Sequence, residues 1–160
     1  MTDKNLPELI KAYQEVVYPE SPVRGAYFEL IHFVRKLSAD FPKLTTDYKA
    51  GGVSQGYMDY TYFPFHNDDL HKQKLRYGIV LNHYEMQFEL WLMGQNAKEQ
   101  LKYWDQLKDT PWNQHLTEMP IYSVLEAVIG AEPDFTDLDQ LSTEIIKQAL
   151  LEVDKINQYL

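Results

Sequence analysis

Residues 75–94, LRYGIVLNHYEMQFELWLMG, constrain the fold more than any other part of the chain. Two apolar runs flank a polar break at 82–85, and side chains along a strand alternate between faces with a period of two. Leu75, Tyr77, Ile79 and Leu81 share one face of the first run. Met86, Phe88, Leu90 and Leu92 share one face of the second. The pattern predicts a β-hairpin with one core face. Its other face carries Arg76, Gln87, Glu89 and Trp91, a mixed polar and aromatic set.

Helical patterns surround the hairpin. Residues 6–17 place Leu6, Leu9, Ile10, Tyr13, Val16 and Val17 at helical spacing before Pro19 and Pro22 interrupt. Ser21-Pro22 combines an N-cap with proline at the first helical position. From there Val23, Tyr27, Leu30, Ile31, Val34, Leu37 and Phe41 form one stripe as far as Pro42. Fully burying each large side chain contributes about 1.5–3 kcal/mol, enough to dock such a stripe on a sheet.

Residues 45–65 turn aromatic and β-branched. They predict a strand over 55–63, preceded by a short strand near Tyr48, with Pro64 marking its end or an edge position. Asn67 caps a short helix. Asn96 caps another over 97–109, with Ala97, Leu101, Trp104 and Leu107 facing inward. Residues 121–130 read as a strand. The last helix starts at a capping box of Thr136 and Asp139 and buries Leu138, Leu141, Ile145, Ala149, Val153 and Ile156. Placing helix 97–109 as a crossover predicts a last strand parallel to a hairpin strand. The expected architecture is a single α+β domain over 1–160. It is a two-layer sandwich with a mainly antiparallel sheet, a central hairpin and helices packed on one face.

Composition narrows the function classes. A formal net charge of −9 repels nucleic-acid phosphate, so no nucleic-acid partner is expected. Much of the acidic excess lies in 131–160 and reads as a solvated helix face. No apolar run reaches the roughly 18 residues of a membrane span, and the first ten residues carry no apolar signal core. Cysteine is absent, which removes disulfides and thiol chemistry and fits a cytoplasmic protein.

Several features resemble chemistry without its context. Gly51, Gly52 and Gly56 lead into a strand rather than opening a helix, so they read as a turn or bulge and not a phosphate loop. His66, Asp68, Asp69 and His71 have metal-ligand types, but a spacing of five between the histidines suits one helix face poorly. Asn67 and the two aspartates already serve as cap and first-turn acids. No metal and no cofactor is expected.

The stronger constellation lies on the second face of the hairpin. Arg76, Glu89 and Trp91 point there, Asp59 or Tyr60 join from the preceding strand, and Tyr122 and Glu126 from the last. The candidate ligand-binding residues are therefore Gln55, Asp59, Arg76, Glu89, Trp91, Tyr122 and Glu126. The competing interpretation is a solvated sheet face with cross-strand ion pairs of about 0.2–1 kcal/mol each. The element order also resembles nuclease folds that place a lysine two residues after their second acid. Trp91 stands at that position, so the cation is missing.

The run SQGYMDYTYF at 54–63, with FELWLMGQNAKEQLKYW at 88–104, resembles a family of small uncharacterised bacterial cytosolic proteins. Gln55, Gly56, Tyr57, Met58 and Asp59 match its first motif; Trp91, Gly94, Asn96, Gln100, Tyr103 and Trp104 match its second. The resemblance implies a bacterial source and a single domain, and transfers no catalytic residue. Gln95 departs from the arginine expected there. The leading expectation is a non-catalytic domain binding a small polar ligand or a protein partner on the open sheet face. The alternatives are an enzyme using Asp59 and Glu89 as acid and base, and a structural homodimer module.

Overall fold

A computed structural model of the chain describes residues 5–160. In chain order the elements are α1 (Leu6–Gln14), α2 (Pro22–Leu44), β1 (Lys49–Ala50), β2 (Tyr60–His66), α3 (Asp68–Lys72) and β3 (Leu75–Asn82). There follow β4 (Gln87–Gly94), α4 (Ala97–Leu107), β5 (Leu125–Gly130) and α5 (Leu138–Asn157). Contacts divide the chain into two units, Met1–Phe33 and Val34–Leu160, with α2 running through the boundary.

In the first unit Asn5 caps α1 by accepting from the Glu8 amide at 3.2 Å, and Ser21 accepts from the Val23 amide at 3.2 Å. These are the N-cap contacts that satisfy otherwise orphaned helix amides. The α1 stripe of Leu6, Leu9, Ile10 and Tyr13 is exposed.

The second unit holds the sheet, an antiparallel meander in the order β1-β2-β3-β4-β5. The hairpin of β3 and β4 sits at its centre. Its first face is core, as predicted: Tyr77, Ile79, Leu81, Phe88, Leu90 and Leu92 are fully buried, with Phe63 and Phe65 of β2 beside them. Phe41 of α2 packs its ring 4.8 Å from that of Phe65. The Tyr77 hydroxyl donates to Asn157 of α5 at 2.7 Å. The antiparallel α+β sandwich therefore stands.

Pro64 lies inside β2 and does not end it. Its carbonyl accepts from Gly51 at 2.7 Å, so its missing amide also faces the short edge strand and leaves the β2–β3 ladder intact. The crossover expectation is overturned. β5 runs antiparallel to β4, because the segment after α4 returns to the end of the sheet it left, where the Val124 amide donates to Leu92. The inward face of α4 also differs: Glu99, Tyr103 and Leu107 are buried and Leu101 is exposed. Polar anchors rotate the helix. The Tyr103 hydroxyl donates to the Gln73 carbonyl at 2.7 Å, and Lys74 approaches Glu99 at 3.7 Å. At α5 the cap is Asp137, since Thr136 donates to Asp134 instead.

Asp40 fastens α2 to α5. It accepts from Lys36 at 2.9 Å, Lys43 at 3.1 Å and the Ser142 hydroxyl at 2.8 Å. Burial alone pushes its pKa up, but these hydrogen bonds outweigh it and lower the value to about 2. A depressed carboxyl contributes stability that is present above its unfolded pKa and lost as pH falls through the folded one. Asp40→Asn should therefore cost on the order of 1 kcal/mol at pH 7, after allowance for solvent screening. In urea titrations across pH the gap between variant and wild type should close towards pH 2. A gap that stays constant with pH would contradict this assignment.

Candidate functional site

The second face of the sheet is not an ordinary solvated surface. Val80, Trp91 and Met93 are buried on it, with Tyr60 and Tyr62 packed against them. Gly78 gives this packing room, since a Cβ there would lie 2.8 Å from the tip of the Met93 side chain and 3.4 Å from the Tyr62 ring. Around this apolar patch the alternation of β4 delivers Gln87, Glu89 and Trp91 to the same face.

Glu89 is 5% exposed and has no ion-pair partner among the described residues. Three neutral donors converge on it: Asn82 at 2.9 Å and Gln87 at 2.7 Å on Oε2, and Trp91 Nε1 at 2.9 Å on Oε1. Hydrogen bonds to a charged acceptor contribute about 1.5–3 kcal/mol, but they do not cancel the charge. Asn82 is itself fixed, since its Oδ1 accepts from the Tyr84 and Glu85 amides of the hairpin turn at 3.0 and 3.2 Å.

Glu126 of β5 stands opposite Trp91 and diagonal to Glu89, roughly 7 Å away in strand geometry. The Ser123 hydroxyl donates to it at 2.7 Å. Burial pushes the Glu126 carboxyl above the usual range, the Glu89 charge pushes the same way, and Ser123 pulls back. Beyond Glu126 the β4–β5 register shifts at Phe88 and Glu89, a bulge that bends the edge strand beside the two acids.

Aromatic rings flank the carboxylates. Tyr60 lies edge-on to Trp91 at 4.8 Å, and Tyr122 stacks along Trp91 at 6.4 Å with only 12° between the planes. Burial raises the Tyr60 pKa, and Glu126 and Glu89 add to the shift. A cavity of about 430 Å³ opens at this point. Gln87, Glu89, Glu126 and Val128 line it from the sheet, and Trp112, His115 and Met119 from the 112–121 segment. That segment is anchored by Trp112 donating to Glu152 of α5 at 2.8 Å and Asn113 donating to the Val124 carbonyl at 2.8 Å.

Of the residues expected from the sequence, the structure brings together Glu89, Trp91, Tyr122 and Glu126. It places the others elsewhere. Arg76 pairs with Met93, so four residues of strand, roughly 13 Å, separate it from the level of Glu89. Asp59 accepts from the Tyr57 and Tyr60 amides at 2.8 and 2.7 Å; these two bonds lower its pKa and commit it to shaping the 55–60 turn. In that turn Gly56 has φ +78°, and a Cβ would collide with the Tyr60 carbonyl. Gln55 is exposed and contributes its carbonyl to the Thr61 hydroxyl at 2.7 Å. Asn82, Ser123 and the 112–121 wall were not expected. Asn82 carried a signal, an asparagine opening a turn. So did Ser123, three residues before Glu126.

Fold and site together define an antiparallel α+β domain with an acidic cavity on the sheet face opposite its core. The chain belongs to the family described as Domain of unknown function (DUF7000), which it matches over residues 6–160. No curated protein and no solved structure matches it. Among the described residues no helix is long and apolar enough to cross a membrane.

The Glu126 environment has a measurable consequence. The folded chain holds this proton more tightly than the unfolded chain, so its contribution grows as pH falls through the raised pKa and is lost as pH rises. Glu126→Gln keeps an acceptor for Ser123 and removes the buried charge. At pH 7–8 it should raise the melting temperature by roughly 2–4 °C, the equivalent of about 1 kcal/mol in a chain of this size. The gain should fade towards pH 4. A variant less stable than wild type at every pH would show that the carboxylate is structurally favourable.

Proposed function

We propose that this chain is a binding domain for a small organic cation, an amine, guanidine or quaternary ammonium compound, held between Glu89 and Glu126. The supporting observation is a pair of neighbouring carboxylates, one almost fully buried, that meet no cationic side chain among the described residues. Natural chains rarely bury acids without a partner, because an unpaired buried charge is expensive. Arg76, which the sequence placed on the same face as Glu89, stands four residues of strand away from its level. A ligand cation supplies the missing charge. Trp112, which lines the cavity together with the two acids, suits the same ligand, since the face of an indole attracts cations. A cavity of about 430 Å³ has the volume of a small-molecule site.

The test is a panel of primary amines, guanidines and quaternary ammonium salts, each beside a neutral isostere. Binding would be followed by tryptophan fluorescence and thermal shift. At a hundredfold excess over Kd a true ligand adds about 2.7 kcal/mol to stability. Glu89→Gln should weaken it at least tenfold, about 1.4 kcal/mol. Cations that do no better than their isosteres would overturn the reading.

A second reading rests on Glu126 alone. A carboxyl whose ionisation burial disfavours, set beside a second carboxyl, is the arrangement of an acid–base pair. Glu126 would then act as the acid and Glu89 as the base, in place of the Asp59 and Glu89 pair. A bound cation recovered chemically unchanged after prolonged incubation excludes turnover.

A further inference from the structure

A second concavity of opposite chemistry lies at the far end of the sheet. It measures about 340 Å³ and is lined by His66, His71, Lys74, Leu75, Arg76 and Gln95. Four of the six are cationic or protonatable, two of the chain's five histidines among them, and none is an acid. This is the reverse of what a chain of net charge −9 with 24 acids presents on average.

The cavity is assembled from separate elements on a fixed frame. His66 closes β2, His71 belongs to α3, Lys74 sits in the turn before β3, and Gln95 follows β4. The Gln95 amide donates to the Lys74 carbonyl at 2.9 Å, and the Lys74 amide to the His71 carbonyl at 3.0 Å. Lys74 holds φ +59°, a left-handed conformation unusual for a non-glycine residue. The two histidine rings stand 6.1 Å apart.

Nearby acids are already engaged or turned away. Glu99 lies within 3.7 Å of Lys74 and 4.0 Å of Lys102, so Lys74 is partly neutralised. Asp69 lines the adjoining cavity with Asn67 and Lys72. Arg76 is exposed, and its guanidinium makes no ion pair or hydrogen bond among the described residues. Arginine and lysine donate and cannot accept, and each histidine becomes a double donor when protonated. A wall rich in donors and poor in acceptors, with a free guanidinium fork, matches an oxyanion; a tetrahedral dianion uses donors from several directions better than a planar carboxylate does.

We propose that this cavity binds the phosphate group of a small phosphomonoester, with Arg76 as its principal charge and His66, His71 and Gln95 as further donors. This site is independent of the cation site at Glu89, so either can fail without the other.

The experiment uses the full chain and two probes, inorganic phosphate and phenyl phosphate, with acetate and chloride at matched ionic strength as controls. Histidine ring resonances are followed by NMR, and melting temperature in parallel. The expected result is a saturable shift of the His66 and His71 resonances with either phosphate probe and neither control, with a rise in melting temperature. Arg76→Gln, at an exposed position with no partner to lose, should keep the wild-type fold and weaken phosphate at least tenfold. Equal shifts with chloride would reduce the effect to ionic screening and overturn the proposal. So would an unchanged phosphate affinity in Arg76→Gln. Should that variant lose its native spectrum, His71→Gln on α3 takes its place with the same expected weakening, and an unaltered affinity there counts against the site equally.

Discussion

Eight consecutive residue pairs between β3 and β4 hold the centre of this protein. Each strand of the hairpin has a second neighbour, β2 on one side and β5 on the other, so neither is an edge. Register in such a pair is not adjustable, because a slip of one residue exchanges the two faces. With Tyr77, Ile79, Phe88 and Leu90 committed to the core, Glu89 and Trp91 must face the other way. The acidic site is in this sense a consequence of core packing: the apolar alternation that builds the fold also aims the carboxylate.

Having been placed there, Glu89 is held rather than neutralised. Asn82, Gln87 and Trp91 supply directional hydrogen bonds, and the hairpin turn orients Asn82 in its turn. Glu126 adds a second carboxyl whose burial works against its ionised form. Burial and the neighbouring Glu89 both disfavour the ionised form of Glu126, and perturbed carboxyls of this kind occur at functional sites as well as in structural networks. Glu89 itself is almost fully buried, and removal from water strengthens any charge interaction made there.

The legible part of the structure was the part written in periodicity. The hairpin, the Ser21, Asn67 and Asn96 caps and the buried stripe of α5 from Leu141 to Ile156 follow from residue type and spacing alone, whereas Leu138, at the first turn of α5, is exposed. Where polar side chains reach across the fold, spacing was insufficient. The rotation of α4 depends on Tyr103 finding the Gln73 carbonyl, thirty residues away. Arg76 and Glu89 share a face by the two-residue rule, yet the rule says nothing of distance along the strand, and the register separates them. Asp59 looked like a free carboxylate because a turn that consumes both amides around it has no periodic signature. The 112–121 wall has no regular structure at all, and nothing local announces where it lands.

The proposed binding of a cation between Glu89 and Glu126 would complete an otherwise unbalanced pair of carboxylates. It is tested most directly by calorimetric titration of the best-binding cation in buffers of different ionisation enthalpy, near the raised pKa of Glu126. A cation bound between the carboxylates favours the ionised form, so binding should release a proton from wild-type protein and none from Glu126→Gln. Binding that moves no proton, or that moves the same number in the variant, would place the cation somewhere else.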